Sequence, residues 1–481
     1  MKKLLALCLI AVMAVSMFAG CAPAAVEEPA PAPEAEAEAP EVEEGKEYHI
    51  RVSINSAYRG QTFVDAGEIL NEQLKAEGSK DTVSVEWIEV KENDDSLPIF
   101  HAEGNMPEMI CNAKAGLFRM YDAGYLVDAS DVVNDEVYAE HTTQAMRDLL
   151  LSPDGTYYPG IIYESDSYGV MIYKPALAQL GWTEDQINQW KADAREGKVT
   201  VDDLIAVAEQ IVEKDICEYG IMHRDSNSVN NYFGYVTWND GVVPVTEDNK
   251  AVIDKNSIFD WLTFYRTIVQ KGLTPYNLTT DFSREMLDGD ILPNGEAFAY
   301  YCHIDTKSRM MTNADVTSDY VDENYFMIPN PVNKLGDKPA VGANPWGIGL
   351  TYSSQEDPKM AEYCKRLCDI IISTPEIQLD VSVRSGHIPV SKAVTEMDEY
   401  KADKWMSDLD YIDKYVFSFP VNKNINSYYS DSANMWAAIQ EAMIDANKPD
   451  ARDIKTIVDE TVEKITFEML EDPGYVIVDW E

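Results

Sequence analysis

Ring-bearing side chains stand at several points of this sequence where helix or strand periodicity does not assign them to a core. An aromatic face packs well against an apolar ring face, and charged or amide side chains bind hydroxyl groups strongly. Such a mixture makes these residues candidates for contact with a small ligand. One of these residues, Trp436, also keeps helical spacing with Ile439 and Met443, which fits a core position equally well. The residues are Tyr232, Trp238, Tyr301, His303, Trp346 and Trp436.

Polar side chains follow two of the predicted strands. Asn55 and Tyr58 come after the first strand, and Asn112 and Lys114 come after the third. Ligands of open α/β sheets lie beyond the carboxyl ends of the strands, where the loops diverge. These residues are therefore predicted to contact a ligand, although each fits a turn or a helix cap equally well.

The spacing of hydrophobic residues predicts the strands and helices that position these side chains. Alternation from Tyr48 to Ile54 predicts a strand, and helical spacing from Phe63 to Leu74 predicts a helix that Gly78 ends. Two more strands and a short helix complete a β-α-β-α-β order, which predicts a mainly parallel sheet with helices on both faces. A second α/β region begins after residue 160. It contains a strand at 169–173 and helices near 200–211, 257–271, 358–373, 433–447 and 453–470.

The N-terminus has the features of an export signal. Lys2 and Lys3 precede a short apolar run that ends at Cys21, within Phe-Ala-Gly-Cys. This tetrapeptide resembles the bacterial lipobox, so Cys21 is predicted to be lipidated, with an ordinary secretory signal as the alternative. Residues 22–46 are almost wholly Ala, Pro, Glu and Val, a composition that favours an extended tether.

Composition narrows the function further. The formal net charge of -45 argues against nucleic acid or an anionic lipid surface as a partner. The six histidines are scattered singly, and no nucleophile-elbow, zinc-protease or phosphate-loop motif is present, so neither a metal nor a cofactor is predicted. Five cysteines remain beyond the signal and Cys21, without a paired spacing pattern. Cys364 and Cys368 extend an apolar helical stripe, which predicts buried core positions.

The order of several short motifs resembles that of the family 1 extracellular solute-binding proteins, the sugar-binding components of bacterial ABC importers. Residues 104–110 read Gly-Asn-Met-Pro-Glu-Met-Ile, similar to the family's G-N-x-P-D-I, and residues 200–204 resemble its T-W-D-E-F helix start with Val201 in place of tryptophan. The order of the motifs extends over nearly the whole body. The other matching segments are 122–128, 154–159, 170–174, 264–266, 271–272, 286–290, 297–300, 373–378 and 386–390.

The resemblance implies an α/β, two-lobed fold of the periplasmic-binding-protein type II class, with a ligand cleft between lobes. It divides the chain into a signal peptide (1–20), a tether (21–47), an N-terminal lobe (48–162 with 345–392) and a C-terminal lobe (163–344 with 393–481). The segments 157–164, 340–344 and 386–393 are the predicted crossings. Closure occurs because the ligand touches both lobes only in the closed state.

The resemblance also implies a function: a monomeric lipoprotein, held at the cell membrane by its lipid alone, that captures a carbohydrate and delivers it to ABC permease subunits. It places Asp166, Tyr168 and Trp436 near ligand-facing positions. An enzyme is not expected. Two alternatives stay open, because acidic residues are abundant: a lipid-anchored glycoside hydrolase, which needs two suitably spaced carboxylates, and a binding protein for a peptide or a polyamine.

Overall fold

A computed structural model describes the protein over residues 45–55, 57–90, 93–152, 154–223, 251–339, 341–409, 416–418, 441–448, 452–468 and 475–480. The predicted signal peptide and nearly all of the predicted tether lie outside these ranges. Residues 45–481 form one unit by their contacts, separate from residues 1–44.

The described chain contains strands of very different lengths, from two to thirteen residues. They are β1 Glu47–Ile54, β2 Thr82–Glu89, β3 Met109–Ala113, β4 Ile161–Tyr173, β5 Tyr219–His223, β6 Ala251–Asp254, β7 Ala297–His303, β8 Tyr325–Ile328, β9 Val341–Leu350, β10 Ile388–Pro389, β11 Val416–Ser418 and β12 Tyr475–Val478.

Helices lie between most of these strands. They are α1 Ala57–Ala76, α2 Asn93–Glu103, α3 Lys114–Asp122, α4 Ser130–Val133, α5 Glu136–His141, α6 Gln144–Asp148, α7 Lys174–Gln179, α8 Glu184–Arg195, α9 Val201–Glu213, α10 Lys255–Gln270, α11 Leu278–Asp281, α12 Arg284–Met286, α13 Thr306–Ala314, α14 Ser318–Asn324, α15 Pro358–Ser373, α16 Pro375–Ser385, α17 Asp398–Ala402, α18 Lys404–Ser407 and α19 Ile454–Glu468. A π-helical turn, Leu287–Ile291, follows α12, and 3₁₀ turns lie at Tyr352–Gln355 and Val394–Glu396.

The first lobe is built around β1, which pairs in parallel with β2 and β3. The alternation predicted for β1 is confirmed, since Tyr48, Ile50, Val52 and Ile54 are all buried. Helix α1 packs on this sheet and ends as expected at Gly78, whose φ of 79° lies in the left-handed region that glycine adopts without strain. The core that results also takes in α15 and α16.

Strand β4 joins the two halves of the fold. Its first residues, Ile161 and Ile162, belong to the core of the first lobe, whereas Val170 and Ile172 belong to that of the second. Twelve of its thirteen residues are buried. It pairs antiparallel with β9 and β10 at its start and with β7 and β8 at its end. The three predicted crossing segments each overlap one of β4, β9 and β10.

The second lobe packs helices on both faces of β7. Phe298 and Tyr301 face a core shared with α9, α10 and α19, and Tyr300 and Cys302 face a second core with α13 and α18. β7 pairs in parallel with β5. The sheet as a whole is therefore mixed. Its parallel pairs are β1 with β2 and β3, β5 with β7, and β9 with β11, and its antiparallel pairs involve β4 and β9. The residue limits given above for the two lobes stay predictions.

The five cysteines of the body are all buried thiols. Burial raises the pKa of the Cys111 thiol to about 12, and the Cys217 thiol is raised to a similar value for the same reason. The prediction that Cys364 and Cys368 are core residues is confirmed. Among the described helices, none combines the length and the apolar composition that crossing a bilayer requires.

Candidate ligand-binding site

Three neighbouring strands bring predicted site residues to one level of the sheet. Ala113, the last residue of β3, pairs with Trp346 on β9, and Trp346 pairs in turn with Glu164 on β4. Lys114 directly follows Ala113, and Asn55 directly follows β1. The carboxyl ends of β1 and β3 thus meet the crossing strands, which is where an α/β sheet of this kind binds its ligand.

A buried ion pair lies at the centre of this level. Arg59, in the first turn of α1, donates from Nε to Oε1 of Glu164 at 2.6 Å, and its Nη2 contacts the same oxygen. Its Nη1 donates to Oδ1 of Asn55 at 2.8 Å. The Glu164 side chain is fully buried and that of Arg59 is 5% exposed, so this pair is shielded from water.

Trp346 packs against this ion pair. The guanidinium carbon of Arg59 lies 3.8 Å from the centroid of the indole ring, which is cation–π stacking geometry. The indole is half-buried, whereas its strand neighbours Pro345 and Gly347 are buried. Trp346 was predicted to bind ligand from its flanking turn residues; the structure places it instead inside a strand, beside the other predicted polar residues.

A β-bulge explains how Glu164 reaches Arg59. The pairing between β4 and β9 shifts by one residue between Ile162 and Glu164. In a regular strand successive side chains point to opposite faces, yet Tyr163 bonds to Thr62 of α1 at 3.1 Å and Glu164 bonds to Arg59 of the same helix. The bulge therefore turns two successive side chains towards α1.

Asp166, Tyr168 and His303 form a second group. It lies further along β4 than Glu164, towards the second lobe. Tyr168 pairs with His303 across β4 and β7, and the two rings meet edge to face with centroids 4.2 Å apart. His303 Nδ1 is hydrogen-bonded to Asp166 Oδ2. All three were predicted site residues, and the structure brings them together at the point where β4 enters the second lobe.

A family model described as "Bacterial extracellular solute-binding protein" matches residues 73–407. The chain belongs to this family. The resemblance noted in the sequence is thereby confirmed. No match was found among curated proteins.

Solved structures with the same fold include sugar-binding proteins at low sequence identity. T. maritima MalE3, solved with maltose, is 16% identical, with a TM-score of 0.65 over 88% of this chain and 100% of that chain. Lmo0181 from Listeria monocytogenes, solved with cycloalternan, is 13% identical, with a TM-score of 0.66 over 90% and 100%. MalE from Xanthomonas citri is 14% identical, with a TM-score of 0.66 over 88% and 98%. These likenesses establish the two-lobed fold.

Within the residues that the structure describes, one group of side chains in this solute-binding protein resembles a metal site. Asp166, His303 and Asp305 place three potential ligand atoms within 4.8 Å of one another. Asp305, however, already accepts from Arg309 at 2.8 Å and from Arg284 at 3.3 Å. Two guanidinium groups beside one carboxylate oppose a divalent cation electrostatically. The group is better suited to hydrogen bonding with hydroxyls than to metal binding.

Lys114 and Asn112 differ in what their side chains do. Burial lowers the pKa of Lys114 from 10.5 to about 8, and the residue is only 9% exposed. An ammonium group in such a place binds an oxygen acceptor strongly. Asn112 lies inside β3 rather than after it, opposite Gly347 of β9, and its Oδ1 accepts a hydrogen bond from the backbone N–H of Ala113 at 2.8 Å. The expectation that it follows the third strand is therefore wrong, and its contact with ligand stays a prediction.

Tyr301 lies apart from this group, in the second lobe. It is buried against Phe264 of α10, with ring centroids 6.3 Å apart. It lines a cavity of about 290 Å³ together with Trp261, which is 2% exposed, as expected for a core position. The prediction that Tyr301 contacts ligand stays a prediction.

Several predicted residues lie where the structure gives no account of them. Cys21, Tyr232, Trp238 and Trp436 are outside the described residues, and Tyr58 is in α1 with a side chain that is not described. Three residues that the sequence did not suggest belong to the site: Arg59, Glu164 and His387, whose Nδ1 lies 3.9 Å from Glu164 Oε2. Nothing in the spacing of these three residues indicated that they meet.

Proposed function

We propose that this solute-binding protein captures a sugar or an oligosaccharide by closure of its two lobes, and that it is not an enzyme. The observation that carries the proposal is the half-buried indole of Trp346 between the polar ends of β1 and β3 and the Asp166–His303 pair. Relatives of the same fold were solved with maltose and with cycloalternan, which supports a saccharide as the ligand class here.

The chemistry of the site suits a neutral saccharide. The indole face covers an apolar C–H face of a sugar ring, and Asp166, His303 and Lys114 bond to its hydroxyls. Asp166 lies on β4, which passes from one lobe to the other, and His303 lies in the second lobe. A ligand that touches Trp346, Lys114 and His303 at once therefore favours the closed state.

Isothermal titration calorimetry with maltose, longer malto-oligosaccharides, laminaribiose, spermidine and a short peptide tests the ligand class. We expect binding by one or more saccharides and a loss of at least about tenfold in affinity on Trp346→Ala, equal to about 1.4 kcal/mol. Trp480→Ala is the matched control, because Trp480 is also half-buried but lies near the C-terminus beside Phe259.

Small-angle scattering tests closure. A bound saccharide is expected to reduce the radius of gyration of the protein. A radius of gyration that stays unchanged with every sugar tested contradicts the mechanism. Release of reducing ends during the same incubations identifies a hydrolase instead.

We also propose that the chain is a lipoprotein anchored through Cys21, works as a monomer and hands its ligand to ABC permease subunits. Metabolic labelling with a fatty acid is expected to mark the full chain but not a Cys21→Ala variant. Cells that depend on this protein for sugar uptake are expected to lose uptake when the permease genes are deleted. Labelling of the variant contradicts the anchor, and uptake without the permease contradicts the partnership.

A further inference from the structure

The orientation of the Trp346 indole is set by its surroundings. A tryptophan side chain turns about two bonds, and a half-exposed indole has several rotamers open to it unless a neighbour removes them. On β9, Trp346 follows Pro345 and precedes Gly347, and a Cβ at position 347 would lie 2.6 Å from the Ile161 carbonyl oxygen. The strand therefore approaches β4 closely at this point, and the indole of Trp346 lies over a group that α1 presents.

That group is the guanidinium of Arg59, whose plane is held from two sides. Its Nε and Nη2 contact Glu164, and its Nη1 contacts Asn55. Bonds to two separate acceptors fix a planar fork in one orientation, which a lysine ammonium cannot reproduce. Since Glu164 is fully buried and pairs with Arg59, the fork cannot move without breaking a buried ion pair.

We propose that Arg59 is a positioning residue for Trp346, which Glu164 holds in place, so that the indole presents a single fixed face to the ligand. The inference rests on the proposed function in that it takes this face as part of the saccharide site. One indole face is covered by the guanidinium at 3.8 Å. Only the opposite face is left to stack on a sugar ring.

The physical gain is preorganisation. A platform that is already in its bound orientation loses less conformational freedom when the ligand binds. A site whose aromatic group is held by packing and by charged hydrogen bonds binds more tightly than one in which the ring samples several rotamers. Arg59 acts on the ligand through Trp346, without contact of its own.

Two sets of substitutions separate this role from general stability. Arg59→Lys keeps the charge and removes the planar fork. The double variant Arg59→Met with Glu164→Met removes both charges together, which avoids a lone buried ion and is often close to neutral for folding. Arg147→Lys is the control, because Arg147 is also partly buried but bonds to the Thr142 carbonyl oxygen in the first lobe.

The first readout needs no ligand. In protein labelled with 5-fluorotryptophan, the ¹⁹F resonance of Trp346 is identified by its loss in Trp346→Phe. We expect this resonance to shift or broaden in Arg59→Lys and in the double variant, and to stay unchanged in Arg147→Lys. An unchanged resonance in both Arg59 variants overturns the proposal, even if no saccharide binds and the proposed function itself fails.

The second readout is affinity for whichever saccharide binds the wild type. We expect a loss of about tenfold, or about 1.4 kcal/mol, in the double variant and a smaller loss in Arg59→Lys, with thermal unfolding close to that of the wild type. In a Trp346→Ala background the same Arg59 substitutions are expected to have no further effect. A full effect in that background shows direct contact between Arg59 and the ligand, and refutes a positioning role.

Discussion

Replacing Lys114 by methionine is expected to make the protein more stable and a poorer binder. Lys114 begins α3 at the level of Trp346 and is 9% exposed. Methionine keeps an unbranched apolar side chain of similar reach without the ammonium group. The substitution therefore removes the buried charge and, under the proposed function, a hydrogen-bond donor to the ligand.

The magnitude follows from the pKa. Burial lowers the pKa of Lys114 from 10.5 to about 8. A pKa that differs by one between the folded and the unfolded chain corresponds to about 1.4 kcal/mol of stability. The folded state thus loses at most about 3 kcal/mol by holding this lysine charged. Below pH 8 the lysine is protonated in the folded and unfolded chain alike, so the whole loss is present at pH 7. Between pH 8 and 10.5 the folded protein releases the proton first, and the loss disappears.

Urea unfolding at pH 7, 9 and 10.5 measures this difference. We expect Lys114→Met to be more stable than the wild type at pH 7 by up to about 3 kcal/mol, with a gain that shrinks as the pH rises. Lys214→Met is the control, because Lys214 is exposed directly after α9. A Lys114→Met protein that is less stable at pH 7, or a gain that does not depend on pH, refutes the reasoning.

Two other charged clusters give further predictions. The hydrogen bond from Lys359 is the main cause that lowers the pKa of Asp81 from 3.8 to about 2. The free energy of unfolding of the wild type therefore falls as the pH falls from about 4 to 2. In an acid titration Asp81→Asn is expected to lose less of its free energy of unfolding over this range. An equal pH dependence in the two proteins contradicts the prediction. Lys307 is 4% exposed and pairs with Asp322 at 2.7 Å. Lys307→Met leaves that carboxylate buried without its partner and is expected to lower the free energy of unfolding by about 3–5 kcal/mol. Urea unfolding measures it beside the exposed control Lys401→Met, and a change as small as the control's refutes the estimate.

The sequence predicted those strands and helices that bury one face and expose the other, because their hydrophobic residues recur at regular spacing. β1 alternates between a core and an outer face, and α9, α10, α15 and α19 each show an apolar stripe, so their existence and approximate bounds were confirmed. β4 was recognised only from residue 169 onward. Its first half, with Glu164, Ser165, Asp166 and Ser167, is buried on both faces and paired along its edges with β9 and β10, and therefore has no alternation to read.

Chain order alone predicted where some residues of the candidate site lie along their strands. Asn55 and Lys114 directly follow β1 and β3, as the rule for carboxyl ends led us to expect, and His303 is the last residue of β7. That these side chains contact ligand stays a prediction. Arg59 and Glu164 are 105 residues apart and meet only because a bulge in β4 turns Glu164 towards α1. A one-residue shift in pairing has no sequence signal of its own, which is why this buried pair was not predicted.

The buried thiols of the body bear on how such a protein matures outside the cytoplasm. Because each described cysteine is a buried thiol, native packing requires no oxidant and no isomerase to choose among pairings. Burial raises the pKa of four of these thiols, those of Cys111, Cys217, Cys364 and Cys368, and a protonated sulfur is a poor nucleophile for exchange with other chains. The folded body is thus equally suited to aerobic and oxygen-free surroundings, and changes in redox potential leave its architecture untouched.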